Sequence, residues 1–213
     1  MRILSLNYLG NIEWFCNLCF EHCIVDIHEH YRKQSYRNRA LIMTSEGVQA
    51  LSVQVVRPDN RLKPAMCEVR IDYSKRWQHQ HWNAICSAYR SSPYFDHYAP
   101  LFEPLYLKRF DFLADLNTAL LEAILGALNV EPGPNFSTRY IEPGEGVDLR
   151  ETISPKAHLA RPDPRFTPQP YYQLFGERHP FAANLSMLDL LMCEGPRTME
   201  ILRASWPSHA TNG

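Results

Sequence analysis

The spacing of apolar positions changes period several times along this chain, and each change marks an element. Ile3, Leu4 and Leu6 form a short apolar run of the buried-strand kind, followed by a turn at Tyr8-Leu9-Gly10. Asn11 is a good N-cap, able to accept from the free amides of a helix over residues 12–22. Residues 23–31 then alternate, with Ile24, Asp26, His28 and His30 on one face and Val25, Ile27, Glu29 and Tyr31 on the other. Strand, helix and strand in this order predict a parallel unit. Residues 39–43 and 48–56 read as a strand pair turning through Ser45-Glu46-Gly47, and residues 68–73 as another short strand.

From residue 74 the pattern becomes helical and aromatic. Trp82, Ile85 and Tyr89 share one helix face, and Ser91-Ser92-Pro93 ends it. Residues 111–130 carry the clearest stripe, Leu113, Leu116, Leu120, Ile124 and Ala127, with Asp111 as cap and Pro132-Gly133-Pro134 as stop. A last helix starts at Ser186, whose side chain can accept from the Asp189 amide while the Asp189 carboxylate reaches back in a capping box; Gly195-Pro196 closes it. Residues 132–170 form a long proline-rich loop region, and residues 207–213 read as a disordered tail. The expectation is an α/β fold in a single domain over residues 1–213. A mixed sheet is opened by a β-α-β unit, and a helical layer of about residues 75–130 packs on it.

A net charge of −1 removes the basic footprint that non-specific nucleic-acid binding needs. The opening residues lack the apolar core of a signal peptide, and no run approaches the ~18 apolar residues of a membrane span. A cytoplasmic protein without membrane insertion is expected, with its six cysteines as reduced thiols. G-x-G-x-x-G, P-loop, nucleophile-elbow and H-E-x-x-H patterns are absent, so the sequence names no cofactor.

Several local patterns line up in one order. They are Tyr8-Leu9; the run from Tyr31 to Arg39; Leu51-Ser52-Val53-Gln54-Val55; Trp77-Gln78-His79-Gln80-His81-Trp82; Asp148-Leu149-Arg150; Ser154-Pro155-Lys156; and the stretch from Tyr171-Tyr172-Gln173 to Gly195-Pro196. Together they resemble the WbqC-like family, in a short form of the kind met in Bacteroidetes, over nearly the whole chain. The resemblance implies an association with surface-polysaccharide (O-antigen or capsule) biosynthesis and no established chemistry. Two departures stand out. Gly10-Asn11 follows Tyr-Leu where the family usually has proline, and Gln54 stands where a strand usually has one. Both loosen backbone that proline would fix, which predicts a less ordered first loop or one altered in role.

Candidate chemistry lies in five places. Lys33, Arg37, Asn38 and Arg39 follow the second strand, where ligands of α/β sheets bind, and Asn7 and Tyr8 end the first. Arginine suits phosphate or carboxylate, with Arg150 and Lys156 as further contacts from the long loop; the alternative is solvated charge. His28 and His81 are candidate proton carriers, although His81 suits an enclosed structural position equally. Tyr172 and Gln173 could stack on and hydrogen-bond a sugar or base. Cys16, Cys19 and Cys23 with His22 have metal-ligand spacing, but on a helix they stack on one face as small hydrophobes. Asp26, His28 and His30 would span about 13 Å at roughly 3.3 Å per residue on one strand, too far for one ion. No metal site is assigned.

The expected function is an enzyme of surface-glycan assembly that modifies a nucleotide-linked sugar by group transfer. The alternatives are a non-catalytic glycan- or protein-binding module and a metal-dependent enzyme. The partner expected is a small-molecule substrate, and oligomeric state is left open.

Overall fold

The computed structural model describes residues 1–56 and 64–207. The expected α/β fold is present. β1 (Arg2–Ser5), α1 (Ile12–Phe20) and β2 (Cys23–Asp26) form a parallel unit in which Arg2 pairs with Cys23 and Ser5 with Asp26. The other edge of β1 is taken by a two-residue strand, β5 (Val147–Asp148), also parallel. The sheet order is therefore β2-β1-β5. β3 (Arg39–Thr44) and β4 (Gly47–Ser52) pair antiparallel as a separate two-stranded sheet.

The helical layer consists of α2 (Trp77–Tyr89), α3 (Phe95–Leu107) and α4 (Leu113–Ala127). Pro100 and Pro104 sit inside α3, on positions exposed to solvent. α5 (Met187–Glu194) is buried at every residue and is followed, through a 3-10 turn at Gly195–Arg197, by α6 (Thr198–Ala204). Gly195 takes φ +52 at the end of α5, the left-handed geometry glycine admits freely.

Four local expectations are corrected. The second strand stops at Asp26 instead of running to residue 31, because the Asp26 carboxylate accepts the His28 amide at 2.9 Å and bends the chain. Residues 68–73 contribute isolated bridges, Ile71 to Val55 and Arg70 to Phe112, after a 3-10 turn at Met66–Glu68. α4 begins without a side-chain cap from Asp111; the Val69 carbonyl accepts the Leu113 amide at 2.8 Å and takes over that role. The capping box is not formed either. Ser186 Oγ accepts from the Leu188 amide at 3.2 Å, while the Asp189 carboxylate turns inward to two phenols.

The first loop, for which the missing proline predicts lower order or an altered role, is packed. Tyr8 through Asn11 are all buried. Met187 N–H donates to the Gly10 carbonyl at 2.7 Å, and Ser186 Oγ to the Leu9 carbonyl at 2.7 Å. A Cβ at Gly10 would lie 2.8 Å from the Phe15 ring, so close approach is what requires glycine there. Asn11 caps α1 as expected, accepting the Trp14 amide at 3.0 Å. The expected disordered tail, residues 207–213, lies outside the described residues apart from Pro207.

Candidate functional site at the carboxyl ends of the parallel strands

The three parallel strands end at Ser5, Asp26 and Asp148, and a network of buried charge is built there. Asp26 is fully enclosed and accepts from Ser137 Oγ at 2.8 Å, from the amides of His28 at 2.9 Å and Ile141 at 3.3 Å, and from Arg150 Nη1 at 2.6 Å. Arg150 also grips Asp148 with Nε at 2.9 Å and Nη2 at 2.6 Å, and its guanidinium lies 5.0 Å from the Tyr140 ring centre. Hydrogen bonds to Asp148 hold the Arg150 guanidinium protonated against the effect of burial. Burial works against the Asp148 charge too, yet the bonds from Arg150 leave its carboxyl below the ordinary carboxylate range.

Arg37 is the second fork. It donates from Nε to Glu29 Oε1 at 2.8 Å and from Nη2 to Glu29 Oε2, to the Arg150 carbonyl at 3.1 Å and to Glu151 at 3.2 Å. Burial pushes the Glu29 carboxyl up, opposed by Arg37. Asn117 on α4 fixes this corner by donating to the carbonyls of Arg37 at 2.8 Å and Leu6 at 3.4 Å. Within the network four carboxylates (Asp26, Glu29, Asp148, Glu151) face two guanidiniums (Arg37, Arg150), a balance of 2 − 4 = −2 when all are ionised. Surplus positive charge comes only from the rim.

That rim brings four of the anticipated anion contacts together. Lys33, Arg37, Arg150 and Lys156 line one cleft of about 40 Å³, with Arg32 and Glu151 beside them. Arg32 pairs with Glu151 at 2.9 Å, Arg150 is held by Asp26 and Asp148, and Arg37 uses Nε and Nη2 on Glu29, the Arg150 carbonyl and Glu151. The ammonium groups of Lys33 and Lys156 have no carboxylate partner among the described residues.

The remaining candidates lie elsewhere. Asn7 and Tyr8 are buried, and the Tyr8 hydroxyl bonds His81 Nδ1 at 2.9 Å and the Tyr106 hydroxyl at 2.6 Å. His81 is enclosed between that phenol and the Ser52 backbone, and burial pushes its pKa down to about 4, so it stays neutral at pH 7. Asn38 Nδ2 donates to the Val53 carbonyl at 3.1 Å and Arg39 Nε to Ser52 Oγ at 3.1 Å, so both serve the hairpin. Gln173 is buried, bonding Tyr171 at 3.0 Å and the Ala182 carbonyl at 2.9 Å, while the Tyr172 side chain is exposed. His28 is half-buried, with Nδ1 3.8 Å from Cys67 Sγ.

All six cysteines are free thiols. Cys16 faces the Leu202 carbonyl at 3.6 Å and Cys23 the Asn17 carbonyl at 3.2 Å. Burial pushes the Cys19 and Cys23 thiols up to about 12, which disfavours the thiolate a metal ligand needs. Among the described residues no three His, Cys, Asp or Glu side chains converge in a metal-holding arrangement.

Glu29, Asp26 and Tyr140 escaped the sequence reading as members of the network. Glu29 and Arg37 stand eight residues apart with a bend between, and no periodic pattern joins them. The only local hint was Asp148 and Arg150 two apart, on one face of an extended segment.

No solved structure matches this chain. It is similar to an uncharacterized protein of Mycobacterium tuberculosis, Rv1507c, 31% identical over 132 residues. That match covers 61% of this chain and 56% of the relative, so it spans little more than half of the relative's length. The sequence model of the WbqC-like protein family matches residues 16–161, a stretch that contains Asp26, Glu29, Arg37, Asp148 and Arg150 and stops short of Asp189. The chain belongs to the WbqC-like protein family.

Proposed function

We propose that this protein is an enzyme of surface-glycan assembly that holds an activated, nucleotide-linked sugar at the carboxyl ends of the parallel strands and modifies it by group transfer. The observation that carries the reading is the pair of lysines, Lys33 and Lys156, without carboxylate partners among the described residues, over a floor already built from fixed ion pairs. A cleft of about 40 Å³ has space for about three water molecules, so it receives one phosphate or carboxylate group and leaves the sugar outside. Arg37 and Arg150 then act as rigid backing, fixed by their ion pairs to Glu29 and to Asp26 and Asp148. His28 is the candidate proton carrier, because it is only half-buried, whereas His81 is enclosed. The glycan assignment itself is supported by family membership alone.

The test is a thermal-shift screen against nucleotide-sugars, sugar phosphates and inorganic phosphate. A ligand at about a hundred times its dissociation constant stabilises by roughly 2.7 kcal/mol. At this chain length that raises Tm by about 2–4 °C per kcal/mol. The shift with nucleotide-sugars disappears in a Lys33→Gln/Lys156→Gln variant that itself melts like the wild type. A shift of the same size in that variant removes the cleft from the mechanism.

A further inference from the structure

A second concave surface, away from the residues just described, has the lining of a ligand site. It encloses about 280 Å³ between the start of α2 and the end of α3. Three aromatic rings, Tyr73, Trp82 and Tyr106, and three cations, Lys75, Arg76 and Arg109, line it, and no lining residue is acidic. We propose that this cleft binds a mononucleotide-like ligand, a planar ring carrying a phosphate.

Four independent features converge on that class. The cations are the first. Lys75, Arg76 and Arg109 form no ion pair among the described residues; of the nearby acids, Glu103 accepts the lining Trp82 Nε1 at 3.3 Å, and Asp72 accepts the Ser74 amide at 2.8 Å and feels the Lys75 charge. Three like charges around one concavity focus a positive field that an anion relieves. The second is the helix end. α2 is 13 residues long, has no acidic residue in its first turn and no side-chain cap at Arg76, so its leading amides are free to meet a phosphate. Gln78 and His79 of that turn also line the cleft.

The third is the aromatic wall. The half-buried rings of Trp82 and Tyr73 supply that wall; buried Tyr106 backs Trp82 at 5.6 Å between ring centres, and Arg109 lies 4.9 Å from the centre of Tyr73. Ring faces with an adjacent guanidinium are what an aromatic ligand stacks on. The fourth is rigidity. The Tyr73 hydroxyl donates to the Phe110 carbonyl at 3.0 Å and accepts its amide at 2.9 Å, and the Tyr106 hydroxyl is held by Tyr8 at 2.6 Å. A wall fixed before the ligand arrives loses little entropy on binding. The volume lies just below the ~300–1,000 Å³ usual for ligand clefts, which suits one mononucleotide and not a dinucleotide.

This inference concerns other residues than the strand-end reading and does not rest on it. The test is isothermal titration of the full chain with uridine 5′-monophosphate, uridine, glucose 1-phosphate and inorganic phosphate. Uridine 5′-monophosphate binds, and the three comparators, each lacking the ring or the phosphate, bind about tenfold or more weakly. An Arg76→Gln/Arg109→Gln variant, altered only at exposed positions, keeps the wild-type melting curve and loses about tenfold in affinity, while Lys33→Gln/Lys156→Gln retains it. Absence of uridine 5′-monophosphate binding to the wild type overturns the proposal. So does affinity equal to that of inorganic phosphate, or affinity unchanged in the Arg76/Arg109 variant.

Discussion

Arg150 and Asp26 stand 124 residues apart in sequence and meet at 2.6 Å, with side chains 5% and 0% exposed. The contact ties the long loop after β5 to the end of β2. It closes the charge network at the carboxyl ends of the parallel strands.

Because both charges are enclosed, removing one leaves the other without compensation. Asp26→Ala is expected to lower stability by about 3–5 kcal/mol in urea unfolding. Asp148 also binds Arg150, but its side chain is 34% exposed, so Asp148→Ala should cost about 1 kcal/mol or less. Equal losses at the two positions would mean that the network is open to water.

The Asp189 carboxylate accepts from the hydroxyls of Tyr89 and Tyr171, each at 2.7 Å, and from Gln173 at 3.3 Å, with all four residues buried. Burial raises the Asp189 pKa and those of both phenols. Tyr89→Phe and Tyr171→Phe should each cost about 1.5–3 kcal/mol, the range for hydrogen bonds to a charged group. In a double-mutant cycle the losses should fail to add, since both phenols serve one carboxylate.

His81 makes stability depend on pH in a calculable direction. Its folded pKa is pushed down to about 4 from the ordinary 6.5. Between those values the unfolded chain takes up a proton that the folded protein refuses. The associated stability is complete above pH 6.5 and falls by about 3 kcal/mol as pH drops to 4. Glu13, Glu29 and Asp189, with raised carboxyl pKa values, act in the opposite sense. The measurement is therefore a difference: His81→Phe, unfolded by urea at pH 7 and pH 4.5, should lose less stability on acidification than the wild type.

Gly195 has no room for a side chain. A Cβ there would sit 2.5 Å from the Tyr94 ring, at φ +52. Gly195→Ala is expected to lower stability by about 2 kcal/mol or more, combining left-handed strain with displacement of a packed ring. Tyr94→Ala in the Gly195→Ala background should recover part of it, and no recovery would place the whole effect in the backbone.

Much of the scaffold is legible in local pattern. The β1–α1–β2 opening, the Arg39–Thr44 and Gly47–Ser52 hairpin, and the helices containing Ile85 and Leu120 follow from apolar periods that neighbouring residues determine. The Asn11 cap and the Gly195 stop are equally local, because a short side chain or a missing Cβ acts on its own backbone. Residue chemistry and family pattern also group Lys33, Arg37, Asn38 and Arg39 with Arg150 and Lys156, although Asn38 and Arg39 serve the hairpin instead.

Only the tertiary structure decides what those residues do. Glu29 and Asp26 engage the two guanidiniums, while Lys33 and Lys156 have no carboxylate partner among the described residues, since ion pairing depends on distance in space and burial on what packs outside. The same holds for β5, two residues that become a strand because β1 offers an open edge. It holds for Asp189, whose position suggests a cap but whose carboxylate turns to two phenols that arrive from 18 and 100 residues away. Local period fixes where the chain is helical or extended; which charge meets which is a property of the fold.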